Sequence, residues 1–264
     1  MGSRPDLRDP ARPVLLVHDP RRPPDRAVPA DEARGRRALR GTSRLLSRRP
    51  AMLGAMTSLT PRTLRSAARR LAEADPVLGA SIERFGPPPL WARDPSYATL
   101  VHLILEQQVS LASAQAAFDR LVVAIGDPTA AGLLALDDVQ LRAIGFSRQK
   151  AGYARDLAVS LLDGFDLEVL AGLPDDAVRA RLVGLRGIGR WTADVYLTMC
   201  LLRPDVWPYG DQALATAAME VAGLLQRPTF TQLGEIAERW RPYRAVAARI
   251  LWHHYLRVRG LPVD

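Results

Sequence analysis

From Thr60 to the C terminus one pattern recurs: apolar residues every three or four positions, interrupted at intervals by glycine or proline. No stretch alternates apolar and polar residues as a half-buried strand would, and no segment repeats. "TPRTLRSAARRLAEAD" begins with a capping Thr and places Pro61 at the first helical position. "PSYATLVHLILEQQVSLASAQAAFDRLVVAIG" has room for one or two helices, and "DDVQLRAIG", "SRQKAGYARDLAVSLLDG" and "PDDAVRARLVGL" follow. The last four helical stretches are "RWTADVYLTMCLL", "DQALATAAMEVAGLL", "FTQLGEIAERW" and "YRAVAARILWHHYLRVRG". The expectation is an all-α domain of about ten helices over residues 56–264.

Residues 1–55 read differently. They are rich in Arg, Pro and Gly, with "RRPPDRAVP" as the extreme, and lack the apolar content that offsets ordering entropy. A disordered basic extension is expected there; Met52 and Met56 are alternative starts that would leave it out. This segment also explains the net charge of +8. Residues 1–50 carry 13 Arg against 6 acidic residues, which leaves 23 basic and 22 acidic residues for the rest. The helical part is nearly neutral, so a nucleic-acid-binding face must be local and does not follow from the overall pI.

Other compositional facts narrow the chemistry. The single cysteine, Cys200, excludes an intramolecular disulfide and any cluster held by four cysteines of one chain, and its apolar surroundings predict a core position. No apolar run reaches the roughly 18 residues of a membrane span. The N terminus has no adequate signal-peptide core, so the cytosol is the expected compartment. Of the histidines His18, His102, His253 and His254, the last two are neighbours pointing about 100° apart on a helix, a poor ligand pair. No catalytic metal is assigned. Lys150 is the only lysine among 36 basic residues and is expected to be solvated or phosphate-facing.

The most specific motif is "LRGIGRWTAD", residues 185–194. A tight turn between helices needs residues without Cβ, for positive φ or for close backbone approach. Gly187 and Gly189 would let the turn's N–H groups and the next helix's N terminus meet a phosphate oxygen, with Ile188 plugged into the core and Arg190 beside it. This is a helix-hairpin-helix pattern, whose natural ligand is a nucleic-acid backbone, held without sequence reading. About twenty residues on, "DVWPYGDQALATAA" ends a Pro/Gly loop in Asp211 at a helix start, where it can cap that helix.

Hairpin, apolar helix, Pro/Gly loop and aspartate in this order resemble the helix-hairpin-helix DNA glycosylase superfamily over roughly residues 75–258. Within it, "GIGRWTAD", "LILEQQVSLASAQ" and "ERWRPYRAVAARILW" are most similar to DNA-3-methyladenine glycosylase II. The β-rich N-terminal domain of that group has no counterpart in the first 55 residues. The resemblance implies a monomeric enzyme that acts on double-stranded DNA containing damaged bases, requires no cofactor, and has hairpin carbonyls able to hold a monovalent cation. It implies Asp211 as the catalytic residue, Trp191 and Tyr243 as base-pocket aromatics, and Gln108, or its neighbour Gln107, as the wedge filling the gap left by a flipped base. The third aromatic of the group falls at Val195, with Tyr196 one residue on. Arg190 and Arg244 are either phosphate contacts or structural arginines.

Strand-cutting branches of the superfamily carry a Schiff-base lysine where this chain has Trp191, which points to a glycosylase using water as acceptor. An alkylated purine is already cationic, so no acid need protonate it, and one carboxylate can serve the developing charge on the sugar or orient the water. Electron-rich rings suit such a cation. A non-enzymatic DNA-binding protein and a glycosylase for uracil or hypoxanthine are the alternatives; in the former, Asp211 is only a cap.

Overall fold

A computed structural model describes residues 58–263; the expected N-terminal extension lies outside the described residues. These hold twelve α-helices, two short 3-10 turns and no strand. In chain order the helices are α1 (Pro61–Ala74), α2 (Pro76–Phe85), α3 (Tyr97–Glu106), α4 (Leu111–Ile125), α5 (Ala130–Leu134) and α6 (Asp138–Ile144). They continue with α7 (Arg148–Leu162), α8 (Asp175–Val183), α9 (Arg190–Met199), α10 (Gln212–Ala222), α11 (Phe230–Ala237) and α12 (Arg244–Val258).

Side-chain caps explain why the helices start where they do. Thr60, Ser96, Ser110, Thr129, Asp137, Ser147, Asp211 and Thr229 each accept a hydrogen bond from the backbone N–H three residues on, each cap contributing about 1 kcal/mol. Two helices exceed the ten expected. One is α2, because Asp75 ends α1 and at once caps the next helix through Val77 N, with Pro76 in its first turn. The other is α5, whose five residues are too few to show a periodicity.

The helices gather into two lobes. The first and last described helices meet in one of them, where α1 and α2 pack against α10 and α12. Asp75 fastens this closure by accepting from the indole of Trp240, 2.8 Å away and 165 residues on. In the other lobe α3 packs on α4 and α7, with α5 and α6 against the same layer. The buried helix α9 runs between them, in contact with α8 and α3. Arg249 of α12 is wholly buried and satisfies three carbonyls, of Leu90, Ala245 and Thr198, so one guanidinium ties the α2–α3 loop and the end of α9 to α12. Burial pulls its pKa down to about 10, which still leaves it charged at neutral pH.

Candidate active site

The α8–α9 connection is the expected tight hairpin. Gly187 has φ +86°, and a Cβ there would stand 2.2 Å from Cγ of Tyr153 on α7. Glycine is therefore required twice over, by conformation and by packing. Ile188 is buried, and its N–H donates to Leu185 O. Gly189 has φ −89°, which any residue can adopt. It precedes α9 with no side chain capping the helix start, so the first N–H groups of α9 are left for an external acceptor. Arg190 flanks them, 60% exposed, with its guanidinium over the Tyr209 ring at 4.8 Å and its Nε 3.6 Å from buried Asp194.

Asp211 accepts hydrogen bonds from the indoles of Trp191 and Trp252 and from the start of α10. Oδ1 accepts from Leu214 N at 2.8 Å, the helix cap, and Oδ2 accepts from Trp191 Nε1 at 2.8 Å. The geometry lets Asp211 both cap the helix and serve a further role, because the cap fixes the carboxyl group without using all its lone pairs. The residue is 5% exposed, and burial pushes its pKa above the ordinary carboxylate range against the opposing hydrogen bonds from Trp191 and the start of α10. Asp211 and Trp191 both line one cavity of about 390 Å³ at the junction of the lobes.

The other walls of that cavity differ from expectation. Tyr243 does not line it: it stands at the N terminus of α12 with its hydroxyl 3.5 Å from Arg70 of α1. The aromatic faces beside Trp191 are Trp91, Trp252 and Tyr255, the last two more than two turns deeper along α12. Their signal in the sequence is an i, i+3 aromatic pair on one face of the last helix. Val195 also lines the cavity, whereas the fully buried Tyr196 does not. Three charged or titratable residues missed by sequence reasoning, Arg93, His102 and Glu106, complete the wall on the α3 side.

The glutamines separate. Gln107 is buried and donates from Nε2 to Gly187 O at 2.9 Å and to Thr192 Oγ1 at 3.2 Å, so it binds the hairpin to the end of α3 instead of offering a wedge. Its bond also occupies one of the hairpin carbonyls considered for a cation. Gln108 is exposed in the α3–α4 turn with φ +58°, a strained conformation for a residue with a side chain. Lys150 is half-buried; Nζ donates to Leu105 O at 2.7 Å, and burial lowers its pKa to about 8. Arg244 is committed to Asp205 and Glu238 at 3.0 and 2.7 Å, the structural role. Cys200 is a core residue, and burial pushes its thiol up to about 12.

An uncapped helix start on a hairpin, beside an aromatic cavity with a fixed carboxylate, is an arrangement suited to holding a nucleic-acid backbone and one base. Residues 101–242, over half the chain, match the HhH-GPD superfamily base excision DNA repair protein family, and the chain belongs to that family. A Bacillus subtilis protein with the provisional name DNA-3-methyladenine glycosylase YfjP is 29% identical over 66% of this chain and 64% of its own length. DNA-3-methyladenine glycosylase 1 of Schizosaccharomyces pombe is 29% identical over 59% of this chain and 71% of its own. The solved structure of a 3-methyladenine DNA glycosylase from the same yeast, in complex with abasic DNA, aligns with a TM-score of 0.66 at 26% identity, covering 71% of this chain and 95% of that one.

Proposed function

We propose that this protein is a DNA N-glycosylase that excises alkylated purines, of the 3-methyladenine kind, from duplex DNA as the first step of base excision repair. The observation that carries the reading is the Trp191–Asp211 pair inside an aromatic cavity; the named relatives support it. The uncapped start of α9 receives a backbone phosphate, and Gly189, not required by its own φ, lets that phosphate come close. The damaged nucleotide leaves the stack, at a cost of a few kcal/mol, and its base enters between indole and phenol faces that favour a cation. Asp211, its carboxyl oriented by Leu214 N–H and the Trp191 indole, faces the sugar and stabilises the positive charge that develops as the glycosidic bond breaks. Water takes the sugar: the chain's one ε-amine is held at the Leu105 carbonyl. The protein acts as a monomer.

The test is chromatographic detection of free bases released from methylated duplex DNA. Release of methylated purines is the expected result; none from a folded, DNA-binding protein would overturn the reading and make uracil and hypoxanthine the next substrates to try.

Gln108 fills the gap behind the flipped base. Gly at this position would relieve the left-handed strain and remove the side chain, so Gln108→Gly is expected to leave the protein folded. Excision from fully paired duplex should slow by about tenfold or more, with a much smaller effect on a lesion opposite a mismatch, where extrusion is easier. Equal slowing on both substrates would remove the wedge role.

A further inference from the structure

The cavity contains a second carboxylate that the chemistry above does not use. Glu106, at the end of α3, is almost fully buried among aromatic and aliphatic walls. A carboxylate in such a place is costly unless paired, and Arg93 pairs with it, Nη2 to Oε1 at 2.8 Å. His102, one turn back on α3, brings Nε2 within 3.7 Å of the same oxygen, its ring stacked on Phe118 at 4.4 Å. Burial holds that imidazole below its ordinary pKa, and hence neutral at pH 7. The pairing is incomplete on the arginine side: Nη1 of Arg93 is buried without a hydrogen-bond partner. The guanidinium is therefore held by few partners besides Glu106, on a residue that lines the cavity.

We propose that Glu106, positioned by Arg93, determines specificity in this cavity by accepting a hydrogen bond from the 6-amino group of the flipped base, while Arg93 donates to the neighbouring ring nitrogen. This rests on the excision reading above and narrows its substrate class to 6-aminopurines alkylated elsewhere on the ring. Adenine presents an amino donor beside a ring-nitrogen acceptor, the complement of a carboxylate beside a guanidinium. In the same placement a 6-keto purine sets an oxygen against the carboxylate and leaves both groups badly matched. A site built around a buried hydrogen bond rejects the analogue lacking it more strongly than an apolar pocket rejects a missing methyl group.

The experiment is a binding titration of free bases, followed by the fluorescence of the cavity tryptophans, so that it does not depend on turnover. Wild-type protein is expected to bind 3-methyladenine at least about tenfold more tightly than 3-methylpurine, which lacks only the amino group. The double variant Arg93→Met/Glu106→Leu replaces the pair by apolar groups of similar size, an exchange that folded proteins tolerate; in it the ratio should fall to about two or less. Equal binding of the two bases by wild type, no binding of either, or a preference that survives in the double variant would each overturn the proposal. Failure of base release from DNA with the binding preference intact would instead count against the excision reading alone.

Discussion

Asp211→Asn is expected to lower the release of methylated purines by about a thousandfold, with folding and DNA binding retained. Asparagine is as good an N-cap as aspartate, so the bond to Leu214 N and the start of α10 should survive. What disappears is the negative charge, and with it the stabilisation of the cationic sugar in a buried site. The side-chain amide also turns a donor toward the indoles that hold the carboxylate, themselves donors, so the melting temperature should fall, reporting the loss of buried hydrogen bonding. The pH profile supplies an independent check. Activity requires the carboxylate, and burial holds Asp211 above the ordinary carboxylate range. Base release should therefore fall with decreasing pH along an acid limb lying higher than that of an exposed aspartate, and the residual activity of the variant should lack this limb. Equal release by wild type and variant would leave Asp211 as a cap and nothing more.

The parts of this molecule that were readable in its sequence are those whose signal is local. The hairpin could be recognised because Gly187 and Gly189 bracket an apolar residue between two helical patterns, and Asp211 because a capping residue ends a Pro/Gly loop. Helix α2 escaped because one residue, Asp75, both ends a helix and begins another. The cavity walls were less legible because they depend on contacts between residues far apart in the chain. Trp91, Glu106, Trp191, Asp211 and Trp252 come from five separate segments, and no spacing in the sequence links them. Tyr243 illustrates the difficulty: an aromatic at the start of α12 has the right residue type, but the cavity meets that helix over two turns further on. Gln107 and Gln108 are adjacent and alike, yet one is buried beneath the hairpin and the other exposed on a left-handed turn. Only the direction of the chain at the end of α3 separates them. Glu106 did leave a trace, an acid closing the apolar run "LVHLILE" one turn after a histidine, but its partner Arg93 lies in a loop with no periodicity to place it.

The second large effect is expected at the hairpin. Gly187→Ala should weaken binding to undamaged duplex DNA by at least about tenfold and destabilise the fold by about 2–4 kcal/mol, since two costs combine. An alanine at φ +86° is strained by about 1–2 kcal/mol, and its Cβ collides with the Tyr153 ring at 2.2 Å. The hairpin must then lift from α7, which moves the Gly187 carbonyl away from Gln107 and tilts the uncapped N–H groups of α9 out of register with a phosphate. The two causes can be separated. Tyr153→Ala in the Gly187→Ala background removes the ring contact and leaves the strain together with a Cβ–Cβ contact at 2.6 Å, so it should restore part of the DNA affinity and part of the stability. Tyr153→Ala alone should lower stability through lost packing while retaining a competent hairpin. Fluorescence anisotropy with labelled duplex at several salt concentrations is the measurement, because phosphate contacts weaken with salt in proportion to their number. If Gly187→Ala binds duplex as wild type does at every salt concentration, the hairpin is not the phosphate-gripping element, and the DNA must be held by another face of the two lobes.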